Sequence, residues 1–346
     1  MKKLTLILIF ACGFLSLNFL QAANSKQLKV LQINVWQETS VVPDGFKGLV
    51  SIIQQTDPDI VLLCEVRNYN DRDFISRLTD TLRISGKEYH GLSTDKSAGI
   101  ISKYEITAQE PCCFPDGSGS MVKAYIPVQG HTLAVYSAHL DYTHYECYLP
   151  RGYSGTSWEK IDAPVSDADQ VLEANRLSQR DEAVVAFISD AEKEIAKGNI
   201  VLLGGDFNEP SHLDWQADTK DMRGHNGLVI NWDCSVMLAQ MGMKDAYREI
   251  YPDAVKYPAF TFPSPNPGVD IKKLTWAPDA DERDRIDFIY YYPNDALTLS
   301  DAKIVGPAGS IIRGKVVGKD SYDVFIEPAG IWPTDHKANL AIFDIK

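Results

Sequence analysis

Asn199-Ile200-Val201-Leu202-Leu203-Gly204-Gly205-Asp206-Phe207-Asn208 is the stretch from which the chain is best understood. Four branched apolar residues in a row read as a strand buried on both faces. The two glycines let the backbone leave that strand tightly and approach a substrate closely. Asp206 and Asn208 follow two positions apart, so an extended backbone aims both side chains the same way. A carboxylate and an amide aimed together can hold a water and a phosphoryl oxygen. A plain turn uses the same residue types, but the whole string is more specific than a turn requires.

Outward from this strand, short apolar runs alternate with helical patterns, and there is no internal repeat. Residues 28–36 and 60–64 read as strands, with a helical pattern at 46–55 that Asp57-Pro58-Asp59 interrupts. Residues 72–83 read as a helix. Residues 121–128 and 132–139 flank a turn at Gln129-Gly130, as in a hairpin. Residues 169–197 read as one long helix ended by Gly198, and residues 232–241 as another. Residues 285–292 and 339–345 read as strands. Hairpins mixed with strand-helix-strand units point to an α/β sandwich with mixed sheets. Two stretches, 141–168 and 257–284, are irregular, and loops this long inside a compact domain usually face a ligand.

Polar residues stand at or near the ends of these strands. Asn34 ends the first strand, and Glu65 directly follows the second. A carboxylate there is a natural ligand for a hard cation, although either residue alone reads equally well as a strand-end cap. His139 closes a strand, and a lone histidine is more often structural than catalytic. Asp287 lies inside an apolar run, and a buried carboxylate needs a partner. Asp335-His336, just before the last strand, offers one. A histidine held by a buried carboxylate has a fixed tautomer and keeps a proton or a positive charge. Asp287 and His336 are therefore candidates for a dyad.

The series Asn34, Glu65, His139, Asp206 with Asn208, Asp287, and Asp335 with His336 resembles the endonuclease/exonuclease/phosphatase superfamily, in the same order. That superfamily includes deoxyribonuclease-I-like nucleases, abasic-site endonucleases, bacterial sphingomyelinases and inositol-polyphosphate phosphatases. Gly205-Asp206-Phe207-Asn208 and Asp335-His336 are the most specific motifs. The resemblance covers residue 28 to the C-terminus. It implies a four-layer α/β sandwich of two packed mixed β-sheets flanked by helices, in one catalytic domain spanning residues 24–346. It also implies hydrolysis of a phosphate ester by in-line attack of water, with Mg²⁺ or Mn²⁺ as cofactor. Glu65 would be the metal ligand, with Asn34 and Asp335 in or near its shell. Asp206 would orient and deprotonate the water, and Asn208 would donate to a nonbridging oxygen. His336, held by Asp287, would donate to the phosphate. His139 would be a second donor, or the source of the leaving group's proton. The general base stays open between Asp206 and His336.

The remaining features bear on substrate and location. Residues 1–23 run from Lys2-Lys3 through an apolar core to Gln21-Ala22-Ala23, the order of a cleaved secretory signal. The chain therefore reads as a secreted, bacterial-type member, periplasmic or extracellular. An uncleaved anchor, or a lipoprotein signal ending at Cys12, are the other readings of the same run. Removing Lys2 and Lys3 takes the formal charge from −13 to −15. Such a balance opposes duplex DNA unless a local groove or a metal reverses the field. Cysteines 64, 112, 113, 147 and 234 remain beyond Cys12, and none forms a CxxC pair that would suggest a zinc ribbon.

The expected substrate is a small-molecule or lipid-type phosphodiester, or a sugar or inositol phosphate. A membrane lipid headgroup falls within that class. Nucleic acid stays open but is not favoured, because Arg67, Arg151 and Lys160 are scattered. A catalytically inactive binding module on the same fold would need a lost catalytic residue, and none is missing. No protein partner is indicated. The aromatic residues of 142–158 are expected either to pack on an apolar or sugar part of a ligand, with Arg151 pairing an extra phosphate, or to form a lid on the protein's own surface.

Overall fold

The computed structural model describes residues 26–112 and 119–346. The signal-peptide reading of residues 1–23, Cys12 and Cys113 lie outside the described residues. Among those described, no helix is long and apolar enough to cross a membrane.

Two mixed sheets pack face to face. The seven-stranded sheet has the order Phe325–Ile326, Leu297–Val305, Ala338–Ile345, Lys26–Asn34, Ile60–Cys64, Ala98–Ser102, His90–Gly91. The six-stranded sheet has the order Ala108–Pro111, Gly119–Val128, His131–Leu140, Ile200–Asp206, Asp287–Tyr291, Lys244–Asp245. Strand periodicity sorts the apolar side chains into layers. Val30, Leu62, Ile100, Val135, Leu202 and Phe343 fill the space between the sheets. Leu31, Ile33, Val61 and Leu63 point the other way, onto helices Gly45–Thr56 and Phe74–Ile84. Tyr136, Val201, Leu203 and Phe288 back onto helices Arg180–Ala196 and Asp233–Met241. The result is the expected four-layer α/β sandwich.

Local chemistry explains several boundaries. Asp57 adopts a left-handed conformation (φ 47°) and returns its N–H to Ile53, ending the first helix just ahead of Pro58. Gly204 and Gly205 are needed for packing between strands and between sheets. A Cβ on Gly205 would meet the Ala138 carbonyl oxygen at 1.9 Å, and one on Gly204 would meet Leu62 at 2.5 Å. The glycines thus lie inside the strand Ile200–Asp206, where they serve the packing of the core.

The helix expected over 169–197 is two, Ala168–Asn175 and Arg180–Ala196. The break is made by tertiary contacts. The Arg180 guanidinium, 1% exposed, donates to the carbonyls of Asp141, Thr143 and His144 and to the Asn175 side chain. It ties the second helix to the segment leaving strand His131–Leu140. The irregular stretches contain only short 3-10 turns, Glu146–Arg151 and Ile271–Lys273. Together with Trp215, Ile230 and Trp232 they form an aromatic core of their own beside the sandwich.

Candidate active site

Register brings the strand ends of the two sheets together. Asn34 pairs with Cys64, the residue before Glu65. In the other sheet, His139 and Asp287 both lie opposite Asp206. Polar bonds then join the sheets. Asn34 Nδ2 donates to Asp206 at 2.9 Å and to Glu65 at 3.3 Å. Gln32 Nε2 donates to Asp287 at 2.8 Å. The Cys64 thiol donates to the Ala138 carbonyl at 3.0 Å and accepts the Asp206 N–H at 3.2 Å. Cys64, Cys147 and Cys234 are buried free thiols.

The expected dyad is present. His336 Nδ1 lies 2.8 Å from Asp287 Oδ2, and Nε2 lies 3.8 Å from Asp206 Oδ2. Asp287 is fully buried and has its other oxygen on Gln32. Its backbone N–H reaches Thr261 Oγ1, and its carbonyl accepts from Asn339. Burial pushes the His336 ring toward neutrality, but Asp287 and Asp206 outweigh it and raise its pKa to about 10. His139 goes the other way. Burial lowers it to about 4, and Nδ1 pairs with Ser97 Oγ at 2.9 Å. Burial raises Asp206 to about 7, with the nearby Asp287 charge adding to it. Asp335 is likewise raised to about 7 by burial, reinforced by the Glu65 charge.

Asn208 departs from the expected geometry. It is in the left-handed region (φ 47°), so the chain turns after Asp206 and the two side chains do not follow strand alternation. The Asn208 N–H caps Asp206 Oδ1 at 2.9 Å, and its amide donates to the Leu140 carbonyl at 3.0 Å. Both residues still line the same cleft.

Glu65 is held by a feature that the sequence did not disclose. Trp36, Gln37, Glu38 and Thr39 are all left-handed, with φ between 36° and 61°, and Glu65 itself has φ 65°. Each such residue costs about 1–2 kcal/mol. Hydrogen bonds offset that strain. The Trp36 N–H reaches Asn34 Oδ1 at 2.8 Å, and the Gln37 N–H reaches Glu65 Oε2 at 2.7 Å. The Glu38 carboxylate, itself buried, accepts the N–H groups of Arg67 and Asn68.

The site opens into a cleft of ≈ 410 Å³, lined by Glu65, His139, Asp206, Asn208, Asp335 and His336. Tyr142, Tyr145, Tyr148 and Trp158 share that lining, as do Phe262 and Trp276 from the second irregular stretch. The 142–158 segment therefore faces the site, with rings in the cleft. Arg151 does not pair a ligand. It is buried and bonded to Asp284 at 2.5 Å.

Oxygen donors dominate the open part of the site. Asp206, Asp287 and His336 lie within 4.8 Å of one another, but Asp287 and His336 Nδ1 are engaged with each other. Glu65, Asp206 and Asp335 are the carboxyls left on the cleft to meet a cation, with Asn34 buried behind them, its Oδ1 on the Trp36 N–H and its Nδ2 on Asp206 and Glu65. Two of these carboxyls sit near 7 through burial, a surplus of poorly solvated negative charge that a divalent cation would offset.

Comparison with known proteins agrees with this architecture. An uncharacterized protein of Caenorhabditis elegans is 26% identical over 285 residues, covering 80% of this chain and 84% of that protein. The D. rerio TDP2 structure complexed with single strand DNA product overlays with a TM-score of 0.53 at 16% identity, over 92% of this chain and 98% of that one. The human nocturnin catalytic domain with bound sulfate anion overlays with a TM-score of 0.50 at 14% identity, over 92% and 95%. At such identities the likeness is one of fold. The family model described as Endonuclease/Exonuclease/phosphatase family matches residues 31–336, nearly the whole described chain. The chain belongs to the endonuclease/exonuclease/phosphatase family.

Proposed function

We propose that the protein is an exported, divalent-metal-dependent phosphoesterase that hydrolyses a phosphate ester by in-line attack of water. The observation that carries this reading is the convergence of Glu65, Asp206, Asp335 and His336 on one cleft, with Asn34 and Asp287 buried behind them and bonded to Asp206 and His336. Glu65, with Asn34 and Asp335 beside it, would hold Mg²⁺ or Mn²⁺, since both prefer oxygen donors. The bound ion would neutralise phosphoryl charge and stabilise the leaving oxygen.

The chain's own groups divide the remaining work. Asp206, with Oδ2 turned toward His336, orients the attacking water and takes its proton. His336 has Nδ1 fixed by Asp287, so only Nε2 is free to donate to the phosphate. This arrangement favours Asp206 over His336 as the base. Asn208 uses one amide hydrogen on Leu140 and keeps one for a nonbridging oxygen. His139 supplies a second donor or the leaving group's proton.

Export is inferred from residues 1–23, whose charge and apolar order fit a signal peptide. It is checked by N-terminal sequencing of the protein recovered outside the cytoplasm. A start at Met1 would favour an uncleaved anchor, and recovery from the cytoplasm alone would remove this part of the reading.

A panel assay tests the activity: plasmid DNA, a single-stranded oligonucleotide, sphingomyelin, inositol phosphates, sugar phosphates and a chromogenic phosphodiester, each with Mg²⁺, with Mn²⁺ and with chelator. Metal-dependent hydrolysis of a small ester supports the reading, and full activity in chelator removes it. Nucleic acid is the second reading, supported by the fold shared with a TDP2 solved with a DNA product. The formal charge of −13 opposes it. Efficient cleavage of DNA at physiological salt would promote it.

A further inference from the structure

The groups assigned to catalysis occupy only part of the cleft, and aromatic rings line much of the rest. The rings are continuous. Tyr145 and Tyr148 meet edge-on at 5.0 Å, Tyr148 meets Trp158 at 5.6 Å, and Trp158 lies 5.3 Å from Trp276. The chain of rings begins in the interior, where Tyr148 is fully buried, and ends in the open, where Trp276 is 46% exposed. Tyr142, 62% exposed, adds a second open ring to the same lining. Large aromatic faces left in water beside a reaction centre are surfaces awaiting a ligand.

The wall is rigid because one buried carboxylate builds it. Glu282 Oε2 accepts the Tyr148 hydroxyl at 2.7 Å, the Trp276 N–H at 3.0 Å and the Ala277 N–H at 2.9 Å. Tyr148 and Glu282 are 134 positions apart in the chain, so this bond locks the two irregular stretches to each other. Glu282 thus holds the Trp276 backbone against the Tyr148 hydroxyl, and Trp158 packs between the two rings.

The chemistry of the wall limits what it can hold. Arg151 is engaged by Asp284, and Lys160 by Asp279 at 2.9 Å. Arg67 is the only Lys or Arg among the described lining residues, and it stands by Glu65 at 3.7 Å. A polyphosphorylated alcohol would find no second cation here. A long acyl chain would find a cleft of ≈ 410 Å³ with polar groups along it instead of a dry tunnel.

We propose that the aromatic wall is the subsite for the alcohol portion of the substrate, and that this portion is an uncharged ring stacked on Trp276. A nucleoside base and a sugar both present such a face, and the experiment separates them. The proposal rests on the phosphoesterase reading for its position next to the phosphate, but the subsite can be tested without catalysis.

The first test uses the full chain with Mg²⁺ or Mn²⁺ and three methyl phosphodiesters that differ only in the second alcohol, ethanol, glucose or thymidine, with hydrolysis followed by ³¹P NMR. One of the ring esters should exceed the ethyl ester in kcat/KM by about tenfold, and Trp276→Ala should remove most of that ratio. Preference for the thymidine ester identifies a base, and preference for the glucose ester a sugar. Equal rates on all three, or a ratio unchanged in both Trp276→Ala and Tyr142→Ala, would overturn the subsite. Both residues are exposed, so neither substitution threatens the core. If no ester is hydrolysed, these diesters are not substrates, and the phosphoesterase reading is judged separately by the panel assay. The subsite is then judged by saturation-transfer NMR with free thymidine and methyl glucoside at millimolar concentration. Transfer to ring protons that Trp276→Ala abolishes supports it. No transfer from either compound overturns it.

Discussion

His336 Nδ1 and Asp287 Oδ2 lie 2.8 Å apart, one residue from the segment leading into the last strand of the seven-stranded sheet, the other in the six-stranded sheet. A carboxylate with no solvent contact and an imidazole aimed at it should act as a unit in catalysis. Asp287→Asn and His336→Ala should each lower kcat by about 10²–10³-fold. The double variant should be little worse than the worse single one, and additive losses would show that the two act separately. In metal-free protein, histidine NMR should place the His336 proton loss at about 10, and Asp287→Asn should bring it down.

Glu65 is the carboxylate on which cation binding should depend most. Glu65→Gln should raise the Mn²⁺ concentration for half-maximal activity by at least about tenfold. It should also shrink the rise in Tm that Mn²⁺ gives the parent chain. Circular dichroism should show the fold intact, because the side chain lies at a strand end, 14% exposed, and glutamine keeps its shape. An unchanged Mn²⁺ dependence would move the metal site elsewhere.

Lys123 lies in the six-stranded sheet with its side chain 4% exposed, ringed by Glu110, Asp190 and Glu194 at 2.8, 2.8 and 3.2 Å. Removing the lysine takes the shared cation from Asp190 and Glu194 but leaves Tyr136 donating to the first and Lys197, Tyr125 and Asn199 to the second. Lys123→Ala should destabilise the protein by about 1–3 kcal/mol in urea unfolding. A loss under about 1 kcal/mol would mean that water replaces the lysine.

His225 stacks on Trp215 at 3.7 Å, with its Nδ1 buried and unpaired. Burial, helped by Arg151 and Arg223, lowers its pKa from 6.5 to about 2. Between those values the unfolded chain binds a proton that the native state refuses. The contribution is therefore complete above 6.5 and lost as the pH falls below it, by about 1.4 kcal/mol per pH unit. Urea midpoints measured on either side of 6.5 should show this slope, and His225→Gln should flatten it. An identical slope in the variant would assign it to other groups.

Much of the sandwich is legible without coordinates. Ile60–Cys64 and Ile200–Asp206 are buried strands because unbroken branched apolar residues have nowhere else to go. Asp287 could be paired with His336 because a carboxylate inside an apolar run must find a donor. Short strands such as Ala98–Ser102 and Lys315–Val317 were not legible. Their few residues carry no period: Ala98–Ser102 is a strand through its pairing with the distant Ile60–Cys64, and Lys315–Val317 through a hairpin with the equally short Ser310–Ile312.

The sequence by itself determined the layers and the groups that end the strands, since both follow from local alternation and from the penalty on unpaired buried charge. Only the tertiary structure decided the break at residues 176–179, the left-handed turn at Trp36–Thr39, and the neighbours of the dyad, Gln32, Thr261 and Asn339. It also turned Arg151 inward to Asp284 and placed Trp276 in the cleft. These features depend on contacts between segments well separated in the chain, 28 positions for Gln37 with Glu65, 36 for Arg180 with His144 and 134 for Tyr148 with Glu282. A local pattern records which face of an element is apolar, but it carries no information about which distant carboxylate will meet a given guanidinium or amide.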